Sequence, residues 1–199
     1  MELLVIRHGQ SEADLLKCHE GRADFPLTEL GLKQADLLAD WIAKNYPPDF
    51  IISSTLKRAA KTGELLGLRA NVDVKYDDDL MEYNNGVLAG LPYEEAAKKY
   101  PVQPESKRAY LKFYEQETLI EFRTRAETVL TRIISEYPPE SRVAIVSHGG
   151  MINMLFRSFM KMPISTDYSI SNGDAAVHYW KVNGEKRQIV FINKMEHLK

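Results

Sequence analysis

The 199-residue sequence is short of several things, and each shortage narrows what it can be. It has a single cysteine, Cys18, so no disulfide can form within the chain. That usage fits a reducing compartment, and a cytoplasmic location is expected. No apolar run approaches the ~18 residues of a membrane span, so no membrane association is expected. The opening Met-Glu leads directly into an apolar run, without the basic and hydrophobic regions of a signal peptide. Charge of one sign is not in excess. The formal net charge is −2, which leaves no global basic field to attract nucleic acid. Any anion site has to be local. Internal repeats, low-complexity tracts and linker-like stretches are also missing, so residues 1–199 read as one domain, long enough to bury a sizeable core.

What is present alternates between two periodicities. Short apolar runs at 2–6, 49–53, 72–76 and 142–147 read as strands. Residues 29–44 carry Leu30, Ala35, Leu37, Leu38, Trp41 and Ile42 at helical spacing, with Thr28 as N-cap and Pro47-Pro48 as the stop. Further helices are expected over 56–67, with Gly67 as its C-cap, and over 93–100, 117–136 and 150–160. Two late strands, 175–182 and 187–192, flank Asn183-Gly184, a hairpin signal. Strands alternating with helices predict a three-layer α/β/α sandwich around a mostly parallel central sheet, with antiparallel strands at the end. Residues 77–116 are the least regular stretch and read as a cap or insert over a site.

Three of the expected strands end in polar clusters: Arg7-His8-Gly9, then Ser53-Ser54 followed by Lys57 and Arg58, then Ser147-His148-Gly149-Gly150. Ligands of open α/β sheets bind outside the carboxyl ends of strands, so two histidines and up to two arginines should converge on one crevice. That set suits a phosphoryl group. Guanidiniums fork onto phosphate oxygens, a protonated His148 adds a donor, and a helix opening at Gly149 and Gly150 offers backbone N–H groups. A neutral imidazole can attack phosphorus, and a carboxylic acid is then needed to protonate the leaving oxygen. Glu82, in the loop LMEYNNG, is the best-placed acid by context. No pair among His8, His148, Glu82 and Asp14 has the close spacing of metal ligands, so no metal is expected. Lys57 and Lys61 read as surface cations, Asp77 to Asp79 as a solvated run, and His19, His178 and His197 as structural.

The motifs RHGQS (7–11), GRADFPLTELGLKQA (21–35), SSTLKRAAKT (53–62), LMEYNNGVLAG (80–90), ETLIEFRTRA (117–126) and VSHGG (146–150) occur in one order. Together they resemble the histidine phosphatase superfamily, in its phosphoglycerate mutase-like branch. The resemblance implies that His8 is the phosphorylated nucleophile, and that Arg7, Arg58 and His148 form the phosphate pocket. It implies Glu82 as the general acid, then base, and it places Gln10, Asp14 and Gly21 along the substrate pocket, with Gly149 beside them. It requires no cofactor. Three positions depart from the family pattern. Thr55 stands where proline is common, Asp14, whose carboxylate would oppose a phosphate dianion, where a neutral Asn is usual, and Tyr83-Asn84 where a mutase would carry Arg-His. The shorter chain without those residues points to a phosphomonoesterase acting on a small phosphate ester. A phosphoglycerate mutase and a non-catalytic phospho-ligand-binding protein are the alternatives. The natural substrate and the oligomeric state are left open.

Overall fold

A computed structural model describes residues 1–164, 166 and 168–199. Strands β1 (Glu2–Arg7), β2 (Phe50–Ser53), β3 (Val74–Tyr76) and β4 (Arg142–Ser147) run parallel. Strands β5 (Val177–Asn183) and β6 (Lys186–Lys194) return antiparallel at one edge. They form one sheet in the order β3-β2-β4-β1-β5-β6. The alternation along β1 shows why the sequence needs two covering layers. Leu3 and Val5 pack with Phe122, Val129 and Met151 on one face, while Leu4 and Ile6 pack with Leu38, Ile42 and Leu66 on the other. A parallel strand covered on both faces is apolar without interruption, which is how residues 3–6 read.

The helices are α1 (Glu12–Leu16), α2 (Glu29–Asn45), α3 (Lys57–Ala70), α4 (Tyr93–Lys99), α5 (Leu119–Glu136) and α6 (Gly149–Phe159). The buried faces of α2 and α3 contribute to one core, and those of α5 and α6 to the other. The expected three-layer α/β/α sandwich with a mostly parallel sheet is therefore what forms. Thr28 caps α2 through the Gly31 N–H, as its position suggested, and Thr118 and Glu121 close a reciprocal capping box on α5.

Three local expectations change. The loop after His8 contains a short helix, α1. Helix α3 does not stop at Gly67 but runs on to Ala70 and is capped by left-handed Asn71. A Cβ at Gly67 would stand 2.7 Å from Val74 Cγ2, so the glycine serves the packing of α3 on β3 rather than the helix end. Asp77 and Asp79 are not a solvated run. Both pair with Arg132, and Asp78 accepts the Thr55 hydroxyl. Long-range partners outweighed a local charge pattern that looked purely repulsive.

Candidate active site

The sheet order places β2, β4 and β1 side by side, so the three polar strand ends meet at one edge of the sheet. His8 is 1% exposed. Its Nδ1 lies 2.7 Å from the Gly9 carbonyl oxygen, and since a carbonyl only accepts, Nδ1 carries the proton. Nε2 keeps its lone pair and faces the Arg58 Nε–H at 3.3 Å. Burial, then the charges of Arg58 and Arg7, hold the His8 pKa well below the ordinary histidine value, so the ring is neutral.

The ring of His148 stands 5.0 Å from that of His8, centroid to centroid. Its Nε2 lies 2.8 Å from Ser54 Oγ. Ser54 Oγ accepts the Leu56 N–H and, among the described residues, meets no acceptor for its own proton other than His148 Nε2, so the hydroxyl donates to the ring and the imidazole proton belongs on Nδ1. That Nδ1 is buried without a protein partner. The expectation of a protonated His148 is revised. Burial, followed by Arg58, His8 and Arg7, holds it neutral, and it offers one N–H rather than a charge.

Both guanidiniums are braced from behind. The Arg58 side chain is fully buried, and its Nη1 and Nη2 donate to the carbonyls of Ala23 and Gly21 at 3.0 and 2.8 Å. Gly21 presents that carbonyl from a positive φ of 47°, which suits glycine. Arg7 donates to the Asn172 carbonyl and pairs with Asp174 at 3.1 Å. Its Nε is buried and unpartnered. These braces cost each cation some donors and fix the direction of those that are left.

Glu82 arrives from the irregular segment. Its carboxylate accepts the N–H groups of Tyr83, Gly150 and Met151 at 2.8, 2.8 and 3.0 Å. The first turn of α6 was expected to offer its N–H groups to an anion. Two of those N–H groups, of Gly150 and Met151, go to this side chain instead. A Cβ on Gly150 would stand 2.4 Å from Glu82 Oε1, so only glycine admits the carboxylate there. The loop is clamped by Arg125, which donates to the carbonyls of Asp79, Met81 and Glu82 and pairs with Glu117 at 2.6 Å. Glu117 in turn accepts the Asn84 N–H, and Ser147 Oγ ties the strand end to the Leu80 carbonyl. Beyond Tyr83 and Gly150 opens a cavity of about 820 Å3, lined mainly by apolar groups such as Phe113, Leu119, Phe122 and Met154.

The sequence profile of the histidine phosphatase superfamily, branch 1, matches residues 3–195. The chain belongs to that superfamily. It is 31% identical over 163 residues to phosphoglycerate mutase-like protein 4 of Arabidopsis thaliana, covering 78% of this chain and 69% of the relative. It is also 31% identical over 153 residues to the uncharacterized phosphatase PhoE of Bacillus subtilis, covering 76% and 73%. Among solved structures, a mycobacterial glucosyl-3-phosphoglycerate phosphatase in complex with VO3 superposes with a TM-score of 0.85 at 25% identity, over 96% of this chain and 98% of that one.

In this histidine phosphatase the structure brings Arg7, His8, Arg58, His148 and Glu82 to one place, with Gly21 and Gly149 beside the two arginines. Gln10 points its side-chain carbonyl to the Thr28 hydroxyl at 2.9 Å, tying the loop to the start of α2. Asp14 turns back, its Oδ2 accepting the Ser11 N–H and hydroxyl at 2.9 and 3.2 Å. Its charge still reaches the pocket, where it acts on Glu20 and Arg58. The sequence reading missed Glu20, whose Oε1 lies 3.1 Å from Arg58 Nε and whose Oε2 lies 3.9 Å from His8 Nε2. It also missed Ser54 as the partner of His148, the brace of Asn172 and Asp174, and the Arg125–Glu117 clamp. Only the place of Glu20 directly before Gly21 hinted at a role. Among the described residues no three of His, Cys, Asp and Glu stand together as metal ligands, and no helix is long and apolar enough to cross a membrane.

Proposed function

We propose that this enzyme is a phosphomonoesterase that works through a phosphohistidine on His8. One observation carries the reading. The Nδ1–H···O=C bond to Gly9 leaves a neutral imidazole whose Nε2 lone pair faces the ring of donors. In the first step Nε2 attacks phosphorus in line, and the bond to the ester oxygen breaks as Glu82, in its acid form, supplies the proton that oxygen needs. In the second, Glu82 takes a proton from water, which attacks the phosphoryl group and releases phosphate from His8. Arg58, Arg7 Nε and His148 Nδ1–H hold the non-bridging oxygens and offset charge as it develops. The alcohol part of a small phosphate ester lies toward Tyr83 and the apolar cavity beyond it, with segment 77–116 as the cap. The neighbour solved with VO3, a phosphate-like oxyanion, supports an oxyanion site in this fold. Cys18 is free and buried, which suits the cytoplasm.

The name of the Arabidopsis relative favours a second reading, phosphoglycerate mutase. Against it, Tyr83 donates its hydroxyl to the Glu117 carbonyl and Asn84 Oδ1 accepts the Gly86 N–H. Neither residue supplies a cation for a second acidic group. Brief exposure to a radiolabelled phosphate donor, followed by acid and alkali treatment, tests the proposal. An acid-labile, base-stable adduct on His8 with release of inorganic phosphate is expected. An isomerised product in place of phosphate would establish the mutase, and no adduct at all would leave a binding protein.

A further inference from the structure

Glu20 has no part in the mechanism above, yet it faces both the nucleophile and Arg58. Its Oε1 is buried, accepts no hydrogen bond and sits 3.1 Å from Arg58 Nε. Its Oε2 is 3.9 Å from the nucleophilic nitrogen of His8. A bound phosphoryl group would seek the same two neighbours, an oxygen turning to Arg58 and the phosphorus to His8 Nε2. A carboxylate and a phosphoryl dianion cannot share one cation as full anions without strong repulsion, and like charges in one site push a proton onto one of them.

The geometry points to Glu20 as a further residue of the phosphate site, one that takes a proton from solvent as a dianion binds and, as a neutral carboxyl, donates it to an oxygen beside Arg58. The proton returns to solvent when phosphate leaves. The surroundings are suited to that exchange. Facing Glu20 are Arg58 from α3, His8 and Arg7 from the end of β1, and Ser11 and Asp14 at the start of α1. Burial, with the charge of Asp14 assisting, raises its pKa above the usual glutamate value even against Arg58, the Ser11 hydroxyl and Arg7. A ligand dianion adds to the side that raises it. The inference rests on the pocket of the preceding subsection being the phosphate site.

Calorimetric titration with tungstate tests it, because this tetrahedral dianion carries no proton near neutral pH. Titrations in two buffers of different ionisation enthalpy report proton uptake directly. The wild type should take up about one proton per tungstate, and its affinity should fall by up to about tenfold per pH unit between about pH 6 and 8. Glu20→Gln should take up none, bind with a flat pH profile, and bind tighter at about pH 8 by on the order of tenfold. Glu20→Ala should likewise lose the uptake, which guards against a defect peculiar to the amide. Tungstate binding without uptake by the wild type, or uptake retained by both variants, overturns the proposal and leaves the phosphohistidine reading standing. Affinity of Glu20→Gln lowered equally at every pH would overturn it in favour of a residue that only positions Arg58. If the wild type neither binds tungstate nor forms a phosphohistidine, both readings fall together.

Discussion

Two loops each deliver a carboxylate to the same strand ends, and they do so by opposite means. Loop 77–92 fixes Glu82 with three backbone N–H groups, two of them from the first turn of α6, and is itself gripped by Arg125. Loop 9–24 presents Glu20 to a guanidinium and an imidazole, and among the described residues no backbone N–H donates to its carboxylate. Backbone dipoles hold a carboxylate in place whatever enters the pocket. A carboxylate held by the cation that also binds substrate has to respond when substrate arrives. The first arrangement suits a group that must be aimed, and the second suits a group that senses the ligand's charge.

The comparison is meaningful only if both loops serve one nucleophile, so the largest expected effect comes from removing it. His8→Ala should abolish turnover and the labelled phosphoenzyme together. Persistence of a labelled adduct on serine or cysteine would move the chemistry elsewhere.

Arg58 is the element that makes the Glu20 loop responsive. Arg58→Ala should lower kcat/KM on the order of a hundredfold or more by removing a charge contact in the transition state, while Lys57→Ala, whose side chain is exposed and paired with Asp24, should stay near wild type. The pH profile sharpens the test. Arg58 is one cause of the depressed His8 pKa, second to burial, so its loss should raise that pKa. The neutral nucleophile is present only above its pKa, so the acid limb of kcat/KM should move to higher pH in the variant. An acid limb that stays put would mean that burial alone keeps His8 neutral.

The clamp on the Glu82 loop can be broken separately. Arg125→Met leaves Glu117 buried without its cation and should destabilise the fold by about 3–5 kcal/mol, measured by urea unfolding. The double variant Arg125→Met/Glu117→Leu should recover much of that loss, because no charge is then left unpaired. Its turnover should remain low, since the carbonyls of Met81 and Glu82 would still lack their donor. Full recovery of turnover would show that the loop holds its position without the clamp.

Asp14→Asn should have the smallest effect. The side chain caps α1 through an oxygen that asparagine retains, so stability should change by less than about 0.5 kcal/mol and activity near neutral pH should hold. Removing its charge should lower the Glu20 pKa slightly, because Asp14 is one of the groups that raise it. A large gain in phosphate binding would show that Asp14 swings into the pocket after all.

The sequence by itself determined the layered fold and the chemistry at the strand ends. Uninterrupted apolar runs at 3–6 and 143–146 demand cover on both faces, and an apolar strand of that kind carries its last residues to a predictable edge. Arg7, His8 and His148 were legible for that reason, and Arg58 because its helix starts a few residues after β2. Motif order along the chain then named Glu82. Tertiary structure alone decided which donors each group keeps. The tautomer of His8 depends on the Gly9 carbonyl, and that of His148 on Ser54, 94 residues away. Of the two α6 N–H groups expected to meet substrate, that of Gly150 holds Glu82 instead. Asp14 was expected to oppose phosphate and instead caps a helix too short to show in the pattern. Glu20 looked like any loop acid until the fold set it against Arg58. Hydrogen bonds and ion pairs act over about 3 Å in space, and no periodicity in the sequence reports contacts between residues so far apart along the chain.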